Sequence, residues 1–142
     1  MDFLSTTTVD HFVKMLAAIL LAFPVGWNRE VNSFSAGLRT YPLVALGACA
    51  FMLVGMEVIS ESSDDATSRL IAGLLTGIGF IGGGVILKTA DEVKGTATAA
   101  SIWITGAVGA AVGFGLWDIA VILSVLNVAT VLIFSKAKKS LD

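Results

Sequence analysis

The residues best equipped for chemistry fall in two short segments, Gly26-Trp27-Asn28-Arg29-Glu30 and Gly37-Leu38-Arg39-Thr40, joined further along by Arg69. Arginine presents a planar fork of donors that matches a carboxylate, a phosphate or an anionic headgroup; lysine would serve equally well as a bare topology charge. Arg29, Glu30, Arg39, Thr40 and Arg69 therefore form the candidate functional polar cluster, with Glu30 as a local counter-ion. The competing reading makes these arginines markers of membrane-span ends. A second constellation is Val93-Lys94-Gly95-Thr96-Ala97-Thr98-Ala99-Ala100-Ser101-Ile102-Trp103. Its Lys94, Thr96, Thr98, Ser101 and Trp103 make a polar motif at a helix start, where the hydroxyls can cap the helix or bond to neighbouring ones.

Catalysis and metal binding find little support. His11 lies at the N-terminal edge and Cys49 has no evident base in its own apolar stretch, so no catalytic residue is assigned. The lone cysteine excludes an intrachain disulfide. Magnesium is usually held through one or two carboxylates, and Glu57 and Asp118, the carboxylates nearest the apolar blocks, read as end residues. The acidic run through Glu57, Glu61, Asp64 and Asp65 reads as a solvated loop, so neither a metal site nor a cofactor is expected.

Glycine is concentrated in Gly77-Ile78-Gly79-Phe80-Ile81-Gly82-Gly83-Gly84. The run formally satisfies G-x-G-x-x-G, but a dinucleotide site needs a preceding strand and an acidic residue about 20 positions on, in water-accessible context. Close helix packing fits better: Gly73 and Gly77 are four apart, as are Gly79 and Gly83, a spacing that lets backbones approach in lipid. If Gly73 and Gly77 pack internally, Gly79 and Gly83 remain exposed on another side, which predicts a homodimer through that face. The sharper alternative is a helix broken at Gly82, Gly83 and Gly84, whose freed backbone lines a cavity.

These residues require membrane helices to position them. Only 14% of the 142 residues are charged and 56% are hydrophobic, with mean hydropathy +0.88. A water-soluble fold of this length could not hide that much apolar surface. The net charge of -2 leaves no basic footprint for nucleic acid. Cutting the chain at its charges gives five apolar blocks, at about 12–27, 41–58, 70–88, 97–115 and 116–134, each near the roughly 20 residues a span requires. The fold class predicted is an all-α polytopic membrane protein of about five spans in one domain covering residues 1–142. Gly113-Phe114-Gly115 makes a tight turn between the last two, and Gly106, Gly109 and Gly113 make the third and fourth helices packing partners.

Lys and Arg positions set the orientation. Arg29, Arg39, Lys88, Lys94, Lys136, Lys138 and Lys139 fall in odd loops and the tail, while the second loop is acidic and the start carries Asp2 and Asp10. This places the N-terminus outside and the C-terminus in the cytoplasm, with Lys14 and Arg69 against the trend. The run after Lys14 ends in Phe23-Pro24-Val25-Gly26-Trp27 without a small-x-small cleavage pattern, so it reads as a retained helix rather than a signal peptide.

Taken in order, Arg29-Glu30 after a glycine-tryptophan, Gly37-Leu38-Arg39-Thr40 with Leu43-Val44-Ala45-Leu46-Gly47-Ala48, Arg69 leading into Gly77-Ile78-Gly79-Phe80-Ile81-Gly82-Gly83-Gly84, and Lys94-Gly95 through Trp103 resemble the MgtC/SapB family of bacterial inner-membrane proteins. The resemblance covers roughly residues 26 to 113. Three departures stand out: Asn28 replaces a usual carboxylate, Gly73 stands where relatives often carry glutamine, and the chain stops at Asp142 where many relatives continue into a soluble domain. The chain is therefore expected to act without that domain. The resemblance implies an inner-membrane role in adaptation to low magnesium and, in pathogens, survival inside phagocytes. Two classes of function then compete: a non-enzymatic regulator that contacts itself or another membrane protein in the bilayer, and a transporter or channel for Mg²⁺, another ion or a small solute. Glycine-rich faces and the lack of catalytic chemistry favour the first.

Overall fold

The computed structural model describes residues 6–32, 36–59 and 64–139; Asp2 and Glu61 lie outside the described residues. Five helices follow one another: α1 (Thr6–Val31), α2 (Thr40–Val58), α3 (Asp64–Gly84), α4 (Thr96–Phe114) and α5 (Trp117–Lys139), with two strands, β1 (Leu87–Lys88) and β2 (Val93–Lys94), between α3 and α4. The first four helices are long and apolar enough to cross a membrane. At 1.5 Å per residue, even the 19 residues of α2 extend about 28 Å, close to the roughly 30 Å hydrocarbon core.

Helix α4 is the central post, touching α1, α2, α3 and α5. It buries Thr98, Ser101, Ile102, Thr105, Gly106, Val108, Gly109, Ala111, Val112 and Gly113, positions that go most of the way round the helix. Neighbours bury single stripes at helical spacing, Ala18, Ala22 and Val25 on α1 and Tyr41, Ala45, Ala48 and Met52 on α2. Alanine and glycine dominate because helices in lipid associate through close van der Waals packing rather than expulsion of water. A Cβ on Gly109 would strike the Ala45 backbone, one on Gly113 would strike Met52, and one on Gly106 would strike Ile78 of α3. Many large apolar side chains point outwards: Phe12 and Leu20 of α1, Phe51 of α2, Phe80 of α3 and Val125 and Ile133 of α5 are all exposed. That belt matches a lipid solvent, not an aqueous one.

Helix ends explain the remaining boundaries. The apolar block expected to span 70–88 stops as a helix at Gly84, and the helix begins earlier, at Asp64. Its last turn tightens as Val85 donates to the Gly82 carbonyl at 3.3 Å and Ile86 to Gly83 at 3.1 Å, so residues 82–84 end the helix rather than break it in mid-membrane. The chain then turns back as an antiparallel ladder pairing Leu87 with Lys94 and Lys88 with Val93. Gly95, at φ +90°, passes so close under the Val85 carbonyl that a Cβ has no room. The turn expected at residues 113–115 is a Schellman motif: Leu116 donates to Ala111 at 2.9 Å and Gly115, at φ +78°, to Val112 at 2.9 Å. Glu57 falls in the last turn of α2 and Asp118 in the first turn of α5, as the cost of charge in hydrocarbon requires.

Candidate functional site

Inside this apolar bundle lies a buried polar cluster built on α4. Asn127 of α5, 4% exposed, donates from Nδ2 to the Ser101 carbonyl at 3.3 Å and to Thr105 Oγ1 at 3.2 Å, and accepts from Ser101 Oγ at 2.7 Å. Thr105 Oγ1 donates in turn to the Ser101 carbonyl at 2.8 Å. Both donors and the acceptor of the Asn127 amide are thus engaged. On the same face of α4, the Tyr41 hydroxyl donates to the Thr98 carbonyl at 3.5 Å and lies against the Ser101 hydroxyl and the Arg29 guanidinium. Arg29, on α1, is 3% exposed. Four helices therefore meet around hydroxyls, one amide and one guanidinium.

Such a cluster is costly in lipid unless satisfied, and it fixes helix register once it is. A further tie, Ser124 Oγ donating to the Leu21 carbonyl at 2.6 Å, fastens α5 to α1.

Of the expected cluster, Arg29, Glu30, Arg39 and Thr40 stand at one end of the bundle, around the α1–α2 connection, and Arg69 does not join them. Arg29 alone of the five is buried. Glu30 is exposed and accepts from the Leu38 N–H at 3.0 Å; its carboxylate lies over Gly37, where a Cβ would collide with it. Glycine-leucine after arginine-glutamate is thus a loop clasp. Arg39 is exposed at the start of α2. Arg69 belongs to the other end: its neighbour Leu70 packs on Gly55, about 22 Å along α2 from Thr40, and its guanidinium pairs with Asp65 at 2.9 Å.

The helix-start motif divides similarly. Thr98 and Ser101 enter the buried cluster, whereas Thr96 and Trp103 are exposed and Lys94 pairs with Glu92 at 3.0 Å. Of the α3 glycines, Gly82 approaches the Ala99 carbonyl, at 3.2 Å from its would-be Cβ, while Gly73, Gly77, Gly79, Gly83 and Gly84 face open space. The internal packing expected of Gly73 and Gly77 is absent. Sequence reasoning missed Tyr41, Thr105 and Asn127. An asparagine inside an apolar block was a usable signal, because such residues bond across helices; Tyr41 resembled an ordinary interfacial aromatic.

A family model described as the MgtC family matches residues 15–140. Protein SrpB of Synechococcus elongatus is 36% identical over 137 residues, covering 89% of this chain and 75% of that protein. The putative magnesium transporter YhiD of Escherichia coli is 32% identical over 132 residues, covering 89% of this chain and 61% of that protein. Protein MgtC of Salmonella typhimurium is 33% identical over 132 residues, covering 93% of this chain and 55% of that protein. This chain therefore spans between about half and three-quarters of the relatives it matches. No solved structure matches it.

Proposed function

Because the chain belongs to the MgtC family, we propose that it is a non-enzymatic inner-membrane regulator in magnesium homeostasis, acting through lateral contact of α3 with a second copy or with another membrane protein. The observation that carries this reading is the open glycine face of α3, where Gly79 and Gly83 meet nothing, on a helix with only 11% of its span buried. Small residues on an unoccupied face let another helix approach closely. The polar interior supports the same reading. Its Asn127, Ser101 and Thr105 side chains satisfy one another, it includes no carboxylate for Mg²⁺ among the described residues, and it gives way along α4 to Val108, Ala111 and Val112.

Transport is the second reading, favoured by the name of the YhiD relative and by a buried arginine among polar groups, which in membranes often marks a solute path. Pure protein in liposomes separates the two: the regulator produces no flux of Mg²⁺, K⁺, protons or anions above empty vesicles. Flux above that background replaces regulation with transport. Crosslinking of Gly83→Leu in membranes locates the contact, with loss of the crosslinked homodimer or partner band expected and full retention excluding this face.

A further inference from the structure

A groove of about 690 Å³ runs between α2 and α3. Gly47, Gly73 and Gly77 carve it, and each opens onto empty space; Leu43, Phe51 and Leu74 give it apolar walls, with Thr40 and Arg69 in its lining. Thr40 begins α2, while Arg69 lies on the first part of α3, so the groove has polar ends and an apolar middle. Along α3 the lining runs from Arg69 to Ile81, 12 residues apart or about 18 Å at 1.5 Å each. One leaflet of hydrocarbon is about 15 Å deep, half of the roughly 30 Å core.

Those dimensions select the occupant. A groove about one leaflet long, apolar along its middle with a basic residue at one end, has the shape of a single hydrocarbon chain beneath a charged headgroup. At the Arg69 end the guanidinium side chain is 81% exposed, and its contact with Asp65 is equally superficial; a pair this open contributes little. Its rigid fork of five donors matches a phosphate.

We propose that the α2–α3 groove is a phospholipid site, taking one acyl chain along Gly47, Gly73 and Gly77 and the lipid phosphate on Arg69. It lies on another side of α3 from Gly79 and Gly83, so it stands or falls independently of the partner face.

Native mass spectrometry and lipid titration of the full chain in detergent test the site with phosphatidylglycerol, diacylglycerol and inorganic phosphate as probes. Phosphatidylglycerol is expected to bind wild type and to lose about tenfold in affinity in Arg69→Gln, the usual scale of a charge-assisted hydrogen bond. Gly77→Leu, which fills the groove, loses tenfold or more while Arg69 stays in place. Gly47→Leu repeats that test from the α2 side if Gly77→Leu misfolds. Diacylglycerol binds wild type as weakly as phosphatidylglycerol binds Arg69→Gln, and inorganic phosphate does not compete. Leu20→Ala, on the exposed face of α1 and outside the groove, binds as wild type does. Unchanged phosphatidylglycerol binding in both Gly77→Leu and Gly47→Leu overturns the site. Competition by inorganic phosphate reduces it to a simple anion contact, and loss of homodimer with lipid binding intact makes the groove a protein contact; either outcome overturns the proposal.

Discussion

Helices α3 and α4 are both rich in glycine at spacings of three and four, yet the structure uses them in opposite ways. In α4 each of Gly106, Gly109 and Gly113 is met by a neighbour, and 56% of its span is buried. In α3 five glycines meet nothing and the buried share is 11%. The same residue type thus marks a bundle axis in one helix and an unoccupied surface in the other. What separates them is the partner opposite each glycine: Ala45 and Cys49 of α2 are small and bring a backbone up to α4, whereas α3 rests on Leu70 and Ile78 as outlying pegs, seated on Gly55 and Gly106.

The comparison breaks most readily at Gly109. Gly109→Val drives a side chain into the Ala45 backbone, which cannot rotate away as a flexible side chain would, and is expected to cost about 3 kcal/mol. Thermal unfolding in detergent reads this directly; a wild-type transition would mean that the α2–α4 approach is not the bundle's tightest. Next comes Asn127→Leu, which removes three hydrogen bonds to α4 and is expected to cost about 1 to 2 kcal/mol, with Asn127→Gln recovering part of it. Equal stability of Asn127→Leu and wild type would show that glycine packing alone holds α4.

On α3 the expected effects on folding shrink. Gly83→Leu should unfold within about 0.5 kcal/mol of wild type, as surface substitutions do, while changing crosslinking in membranes. A large loss of stability would show that α3 is packed more like α4. Smallest is Arg69→Ala, whose exposed pair with Asp65 should be worth well under 1 kcal/mol; a larger shift in the same unfolding assay would make Arg69 a structural residue.

Much of the architecture was legible because charge is so scarce. Glu57 and Asp118 mark helix ends as their cost in hydrocarbon demands, and the Gly113-Phe114-Gly115 turn closes the α4–α5 hairpin. The pairing of α3 with α4 also follows from their glycines, realised where Ile78 fills Gly106. What stayed hidden is relational. Spacing locates Gly73 and Gly77 on one side of a helix but does not say whether anything stands across from them. Likewise, Arg29, Arg39 and Arg69 carry the same charge in sequence, and only the tertiary fold buries the first, leaves the second exposed at the head of α2 and places the third at the opposite end. Asn127 lay outside every motif, and the hairpin went unseen because its strands are two residues each, the first falling at the end of the apolar block and the second in the loop after it.

Gly95 carries a mechanical consequence. Its backbone is pressed against the Val85 carbonyl, one residue beyond the end of α3, and lies one turn before Thr98, whose carbonyl receives the Tyr41 hydroxyl. A pull or tilt applied to α3 in the plane of the membrane is therefore delivered, through a joint with no side chain to cushion it, to the threshold of the buried Arg29 cluster.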